Sequence, residues 1–158
     1  MLAREEMLHL IDRFSRPAAA AQAATGIPAS VLMAQAMVES DFGVSAIAGT
    51  CKNFFSVPSG RINAYQEKPE TESLKEFASD EEAFLAHAQL LEKFFPAQVG
   101  FIEGLRPARD RAKLLLMQLE ESSYSARKKY WADVRRCLYR WNLERFDTLK
   151  IKEKKHEV

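Results

Sequence analysis

The chain has 158 residues, 47% of them hydrophobic and 28% charged, and its 23 basic side chains nearly cancel its 22 acidic ones. That length suits one domain able to bury about two thirds of the surface its unfolded form exposes, with no staple needed to hold it together. The near-neutral balance gives no reason to expect a nucleic acid as partner, no segment reaches the roughly 18 consecutive apolar residues of a membrane span, and Cys51 and Cys137 stand too far apart for zinc-type spacing, so no metal site is expected. No cofactor is expected either, and one disulfide between the two cysteines would suit a protein that works outside the cytoplasm.

The opening stretch, MLAREEMLHLIDRF, carries Arg4, Glu5 and Glu6. It lacks the unbroken apolar core of a secretory leader, so no cleavable signal peptide is expected. Met7, Leu10, Ile11 and Phe14 fall at helical spacing and predict a first helix running to about Ser15. Pro17 suits the first turn of a second, Ala-rich helix closed by Gly26, and Pro28 opens a third. From Ala29 to Val38 the sequence is apolar on almost every face apart from Ser30 and Gln35, which marks a helix at the centre of the fold.

Between Ile47 and Phe77 the helical pattern fails, and Gly49, Asn53, Pro58, Gly60 and Pro69 leave room only for short strands. Arg61 to Gln66 and Ser73 to Phe77 read as a hairpin closed around EKPETE. Helix returns at SDEEAFLAHAQLLEKFF, where Ser79 and Glu82 form a capping box and Phe84, Leu85, Leu91 and Phe95 supply an apolar stripe. His87, on that apolar helix, reads as structural. Further helices are predicted from about Arg109 to Glu120 and from Ala126 to about Trp141. The basic runs at Arg106 to Arg111, Arg127 to Lys129 and Lys150 to Lys155 read as solvated faces. The expectation is one mainly α domain with a small β-hairpin lobe over 1–147, followed by a charged tail over 148–158.

MAQAMVESDFG, residues 33–43, sets an acid, Glu39, near the end of the buried helix, with Gly43 as its expected cap. A carboxylate there meets the negative end of the helix macrodipole, and apolar surroundings also disfavour its ionised form. Both effects favour a protonated acid near neutral pH, which is what a general acid must be. The same position would also suit an exposed glutamate on the one polar edge of the helix.

ATGIPASVLMAQAMVESDFG resembles the lysozyme-like peptidoglycan glycosidases, in which a helix reading A-Q-A-x-x-E-S-x-x-G delivers the catalytic acid. The chain is most similar to the flagellar and autolysin type of glucosaminidase, glycoside hydrolase family 73. NFFSV at Asn53 to Val57 matches the family's N-L-F-G-[IV], FASDEEAFLAHAQLLE echoes its serine-led helix, and YSARKKYWADVRRCLYRWNLERFD, from Tyr124 to Asp147, fits its closing Y-A-T-D-P-x-Y, helix and Y-N-L-x-x-[YF]-D. The resemblance spans roughly residues 20–147. Ser56 stands where the family has glycine, ESDFG replaces E-S-x-W-G, and Arg127 and Lys128 stand where the closing motif has D-P.

The resemblance implies a lysozyme-like α+β fold and cleavage of the β-1,4 bond between N-acetylglucosamine and N-acetylmuramic acid, with Glu39 giving the proton to the leaving oxygen. A second carboxylate from the β-lobe, or the substrate's own acetamido group, would stabilise the sugar cation. Glu67 in NAYQE is the best match to that carboxylate, with Glu70 and Glu72 as rivals on the same turn. Tyr124 is implied to hold the acetamido group. Asn53, Phe54, Phe55, Tyr65 and Tyr130 are candidate substrate-binding residues, the two phenylalanines because sugar rings pack on aromatic faces, although core packing would explain Phe54, Phe55 and Tyr130 as well. A lytic transglycosylase on the same scaffold and a non-catalytic wall-binding module are the rival readings. With no export signal visible, the chain would reach the wall by phage lysis, by a specialised secretion machine or as part of a longer polypeptide, which leaves a phage lysin, a flagellar or wall-remodelling enzyme and an antibacterial effector as settings. The short chain and wall substrate suit the effector, acting in a target cell's periplasm, whose producer would need an immunity protein as partner.

Overall fold

The structure, a computed structural model, describes residues 4–40, 77–103, 108–122 and 125–148. Among these residues the chain forms α-helices α1 (Arg4–Thr25), α2 (Ala29–Glu39), α3 (Asp80–Phe94), α4 (Pro96–Phe101), α5 (Ala108–Ser122) and α6 (Ser125–Arg140), and a 3-10 helix at Leu143–Thr148. The predicted hairpin falls outside the described residues except at Phe77, which is buried. The charged tail beyond 148 lies outside them as well.

The predicted break at Pro17 is absent, because α1 runs straight through it. Met7, Leu10, Ile11, Phe14, Pro17, Ala18 and Ala21 are all buried and follow the i, i+3, i+4, i+7 pattern of one helix face, so one apolar stripe continues across the proline. Burying that stripe, at about 1.5 to 3 kcal/mol per large side chain, outweighs the ~3 kcal/mol that an interior proline costs. Phe14 meets Phe84 of α3 with ring centroids 5.2 Å apart and a 59° tilt. On the surface nearby, Arg13 forms a two-pronged ion pair with Asp80, at 2.8 and 3.1 Å, and the Asp80 carboxylate raises the Arg13 pKa above its ordinary value. Gly26 ends α1 as the sequence predicts. It sits at φ +85°, a conformation side chains with a Cβ disfavour, and its N–H reaches the Gln22 carbonyl at 2.7 Å.

Helix α2 is buried from Ala29 through Met37 without interruption and packs against α1, α3, α5, α6 and the 3-10 helix. Its N-cap is Pro28, whose side chain offers no acceptor, so the first N–H groups of a helix whose start is shut off from water must find acceptors elsewhere in the chain. Gln22 Oε1 accepts from the Ala29 N–H at 2.6 Å. Asp147 accepts from the Ser30 N–H at 2.7 Å and from the Ser30 hydroxyl at 2.6 Å. Gln22 Nε2 in turn donates to the Asp147 carbonyl at 3.0 Å. The two caps come from opposite ends of the sequence and are fastened to each other.

At the start of α3 the Ser79 hydroxyl accepts from the Glu82 N–H at 3.1 Å, as the predicted capping box requires, while the Glu82 side chain reaches one residue past the N-cap to accept from the Ala78 N–H at 2.7 Å. Of its predicted stripe, Phe84, Leu91 and Phe95 are buried and Leu85 is half-buried. The short helix α4, opened by Pro96, and the 3-10 helix were not foreseen. Between α6 and the 3-10 helix the chain reverses at Asn142, at φ +51°, and Arg145 Nη1 holds the turn by donating to the carbonyls of Trp141 and Asn142 at 2.7 and 2.8 Å. Arg135 of α6 pairs with Glu120 of α5. Cys137 is a free, buried thiol that burial pushes up to about 12, which leaves it chemically quiet.

Burial raises the Asp147 pKa from 3.8 to about 6, against the opposing pull of the Ser30 hydrogen bonds. The folded chain therefore binds more protons than the unfolded one between these two values, and this carboxyl's contribution to stability is complete below about 4 and lost as pH rises through about 6. Replacing Asp147 by Ala strands the Ser30 N–H and hydroxyl and should cost about 2 kcal/mol or more. Asp147→Asn keeps an acceptor for the N–H and should cost less. Urea denaturation at pH 4.5 and pH 7 checks both: the advantage of the parent over Asp147→Asn should shrink at the higher pH, and a constant gap would show that the carboxyl does not titrate there.

Candidate functional site

Glu39 is the last residue of α2 and is half-buried. The helix stops at Ser40, three residues before the expected cap at Gly43, which lies outside the described residues. Ser40 is buried, its N–H reaches the Ala36 carbonyl at 3.0 Å and its hydroxyl donates to the same carbonyl at 2.6 Å. Both donors of the terminating residue thus close the final turn, and the backbone that carries Glu39 is fixed immediately after it.

One turn before Glu39 on the same helix face stands Gln35, fully buried. Its Nε2 donates to the Tyr130 hydroxyl at 3.0 Å, and its Oε1 lies 3.1 Å from His87 Nε2. An amide oxygen only accepts, so the His87 proton is on Nε2 in this arrangement. A buried amide left without partners would cost several kcal/mol; here it joins three helices, α2, α3 and α6, directly beneath the acid. His87 is thus structural, as expected, and is 2% exposed.

Tyr130 is half-buried, its ring edge-on to Trp131 at 4.9 Å between centroids and 68°. It meets α2 at Gln35, while the 3-10 helix following α6 meets Ser30 and Gln22 at the opposite end of α2. Helix α6 therefore runs against α2, and its first turn, at Ser125, lies at the Glu39 end. Of the predicted site residues, Glu39 and Tyr130 are brought to one end of the central helix. Glu67, Tyr124, Asn53, Phe54, Phe55 and Tyr65 lie outside the described residues, as do Glu70 and Glu72.

Gln22, Gln35 and Asp147 were not singled out for what they do. A signal existed for two of them: Gln35 breaks the apolar run of α2, and Asp147 is the acid that ends the closing motif. Nothing in the sequence joins Gln22 to position 29. Among the described residues no group of three His, Cys, Asp or Glu side chains could hold a metal ion, and no helix there is long and apolar enough to cross a membrane.

No curated protein matches the chain in sequence. Among solved structures it is similar to the catalytic domain of the autolysin Auto from Listeria monocytogenes, with a TM-score of 0.68 and 17% identity over 93% of this chain and 90% of that one. It is similar to a C-terminally truncated glycoside hydrolase domain of FlgJ from Salmonella typhimurium, with a TM-score of 0.64 and 19% identity over 85% of this chain and 96% of that one. A type VI secretion system effector-immunity complex from Pseudomonas protegens contains a chain with the same fold, with a TM-score of 0.53 and 17% identity over 86% of this chain and 93% of that one. The glucosaminidase family model, described as mannosyl-glycoprotein endo-beta-N-acetylglucosaminidase, matches residues 15–143. The chain belongs to this glucosaminidase family, glycoside hydrolase family 73, and is a peptidoglycan hydrolase.

Proposed function

We propose that the chain hydrolyses the β-1,4 bond between N-acetylglucosamine and N-acetylmuramic acid, with Glu39 as the general acid. The observation that carries this reading is the placement of Glu39: a half-buried residue on the last turn of a helix that is buried from Ala29 to Met37, with the Gln35 bridge beneath it. Glu39 protonates the leaving oxygen as the bond lengthens, and the sugar that remains develops positive charge at its anomeric carbon. Glu67 is the proposed carboxylate that stabilises this charge or activates the water. The alternative is the acetamido group of the substrate, which Tyr124 would hold in line by a hydrogen bond. Asn53, Phe54, Phe55, Tyr65 and Tyr130 are proposed to bind the glycan.

The likeness to a chain of an effector-immunity complex supports a biological setting in which the protein acts as an antibacterial effector in the periplasm of a target cell. An immunity protein that covers the Glu39 end of α2 would then protect the producer.

Glu39→Gln is nearly isosteric but has no proton to give, so digestion of purified sacculi should fall ~100-fold or more while circular dichroism stays unchanged. Retention of a tenth of the parent rate would remove Glu39 from the role. Glu67→Gln should slow digestion more than Glu70→Gln or Glu72→Gln; if all three keep the parent rate and Tyr124→Phe does not, the acetamido route is the operating one. For the effector setting, the chain expressed in the cytoplasm should be harmless, and the same chain fused to a periplasmic signal should lyse the cell. Equal toxicity in both compartments would separate the toxicity from wall cleavage.

A further inference from the structure

Away from Glu39, at the far end of α6, a pocket of about 360 Å³ is lined by Arg4 and Leu8 of α1, Arg140 of α6, Trp141, Asn142 and Arg145. Tyr130, which marks the Glu39 end of α6, precedes Arg140 by ten residues, about 15 Å along the helix. Three arginines from three separate elements converge here, and no carboxylate is among the described residues that line the pocket. The Arg140 guanidinium stacks 5.7 Å from the centre of the Trp141 ring. Arg145 is anchored through Nη1 to the carbonyls of Trp141 and Asn142, which fixes its head at the rim. Between the cations lies apolar surface: Leu8 is 42% exposed and Trp141 is half-buried.

Like charges gathered in one concavity repel each other, and an anion relieves that repulsion while forming charge-assisted hydrogen bonds. The guanidinium fork suits carboxylate in particular. A phosphate polymer would use the cations but not Leu8 and Trp141. A ligand that uses both carries several carboxylates interleaved with small apolar groups, which is the chemistry of the peptide stems attached to peptidoglycan, with their alanyl methyls and free carboxylates. We propose that this pocket is a second, non-catalytic site that binds the carboxylate-bearing peptide stems of the wall polymer and holds the enzyme on it while the Glu39 end engages the glycan. The proposal rests on the peptidoglycan reading for the identity of the ligand.

The test is binding without turnover. The full 158-residue chain is titrated with a sugar-free stem tetrapeptide, with the same peptide amidated at its carboxylates, and with inorganic phosphate. The readouts are the Trp141 indole resonance in NMR and its fluorescence, which the fully buried Trp131 leaves distinguishable. The acidic peptide should shift Trp141, with affinity falling as salt rises, and the amidated peptide should bind at least ~10-fold more weakly. Arg4→Gln with Arg140→Gln should weaken binding to a similar degree, while the hydrolysis rate on soluble, peptide-free glycan stays at the parent value. Absence of a Trp141 response to the acidic peptide would overturn the proposal, as would equal responses to the amidated peptide or to phosphate. Because no glycan is cleaved in the titration, these outcomes are independent of whether Glu39 is the acid, and the amidated peptide gives an answer on the unaltered chain even if the double variant folds poorly.

Discussion

Helix α2 is buried without a break from Ala29 to Met37, and this single constraint organises the rest of the fold. A helix at a surface leaves its first N–H groups to water; this one cannot, and Pro28 supplies no side-chain cap. The acceptors are brought in by Gln22, just before the turn into α2, and by Asp147, near the other end of the chain. Each hydrogen bond has a modest net worth, about 0.5 to 1.5 kcal/mol, but the alternative is a buried donor left unsatisfied, which is costlier. The closing segment is therefore held against the helix start by a requirement of the backbone as much as by apolar packing. The raised pKa of Asp147 is the cost of meeting it with a carboxylate.

The same burial fixes the other end of the helix, where the proposed acid stands. Side chains packed on all sides, with Val31, Leu32, Met33 and Met37 fully inaccessible, prevent α2 from rolling or sliding. A carboxyl on its last turn is then set in position by the core, without depending on a loop. Ser40 closes the turn beyond Glu39, and the His87–Gln35–Tyr130 bridge braces the turn below it. A positioned acid gains most when the reacting atoms are also held in place, which is the use that the proposed chemistry would make of this braced turn. The fold shared with the autolysin and FlgJ domains at under 20% identity shows how little of the sequence is needed to keep this architecture.

Much of this was legible beforehand because the signals are local. Gly26, Pro28, the Ser79 and Glu82 pair and the all-apolar run of α2 each state a boundary or an environment within a few residues, and the structure agrees with them. Pro17 misled for the same reason: a local rule says that proline starts a helix, whereas the stripe from Met7 to Ala21 is a longer-range property and prevails. The caps were not legible, since nothing in the neighbourhood of position 147 says that its carboxyl will meet Ser30. Gln35 was visible only as an exception in an apolar run, and its meaning depends on His87 and Tyr130 arriving from two other helices. At the proposed site, Glu39 is singled out by its position in the helix together with the family pattern, and the structure shows it half-buried on the last turn of α2, while Glu67, Tyr124 and the residues from Asn53 to Tyr65 fall outside the described residues.

The central claim is chemical: an acid delivered by a buried helix lets water cleave the glycan on the reducing side of N-acetylglucosamine. Digestion of purified sacculi in ¹⁸O-labelled water, followed by mass spectrometry of the released fragments, tests it most directly. The account predicts new reducing ends on N-acetylglucosamine, each carrying one solvent oxygen. Reducing ends on N-acetylmuramic acid, or unlabelled anhydro sugars, would contradict it.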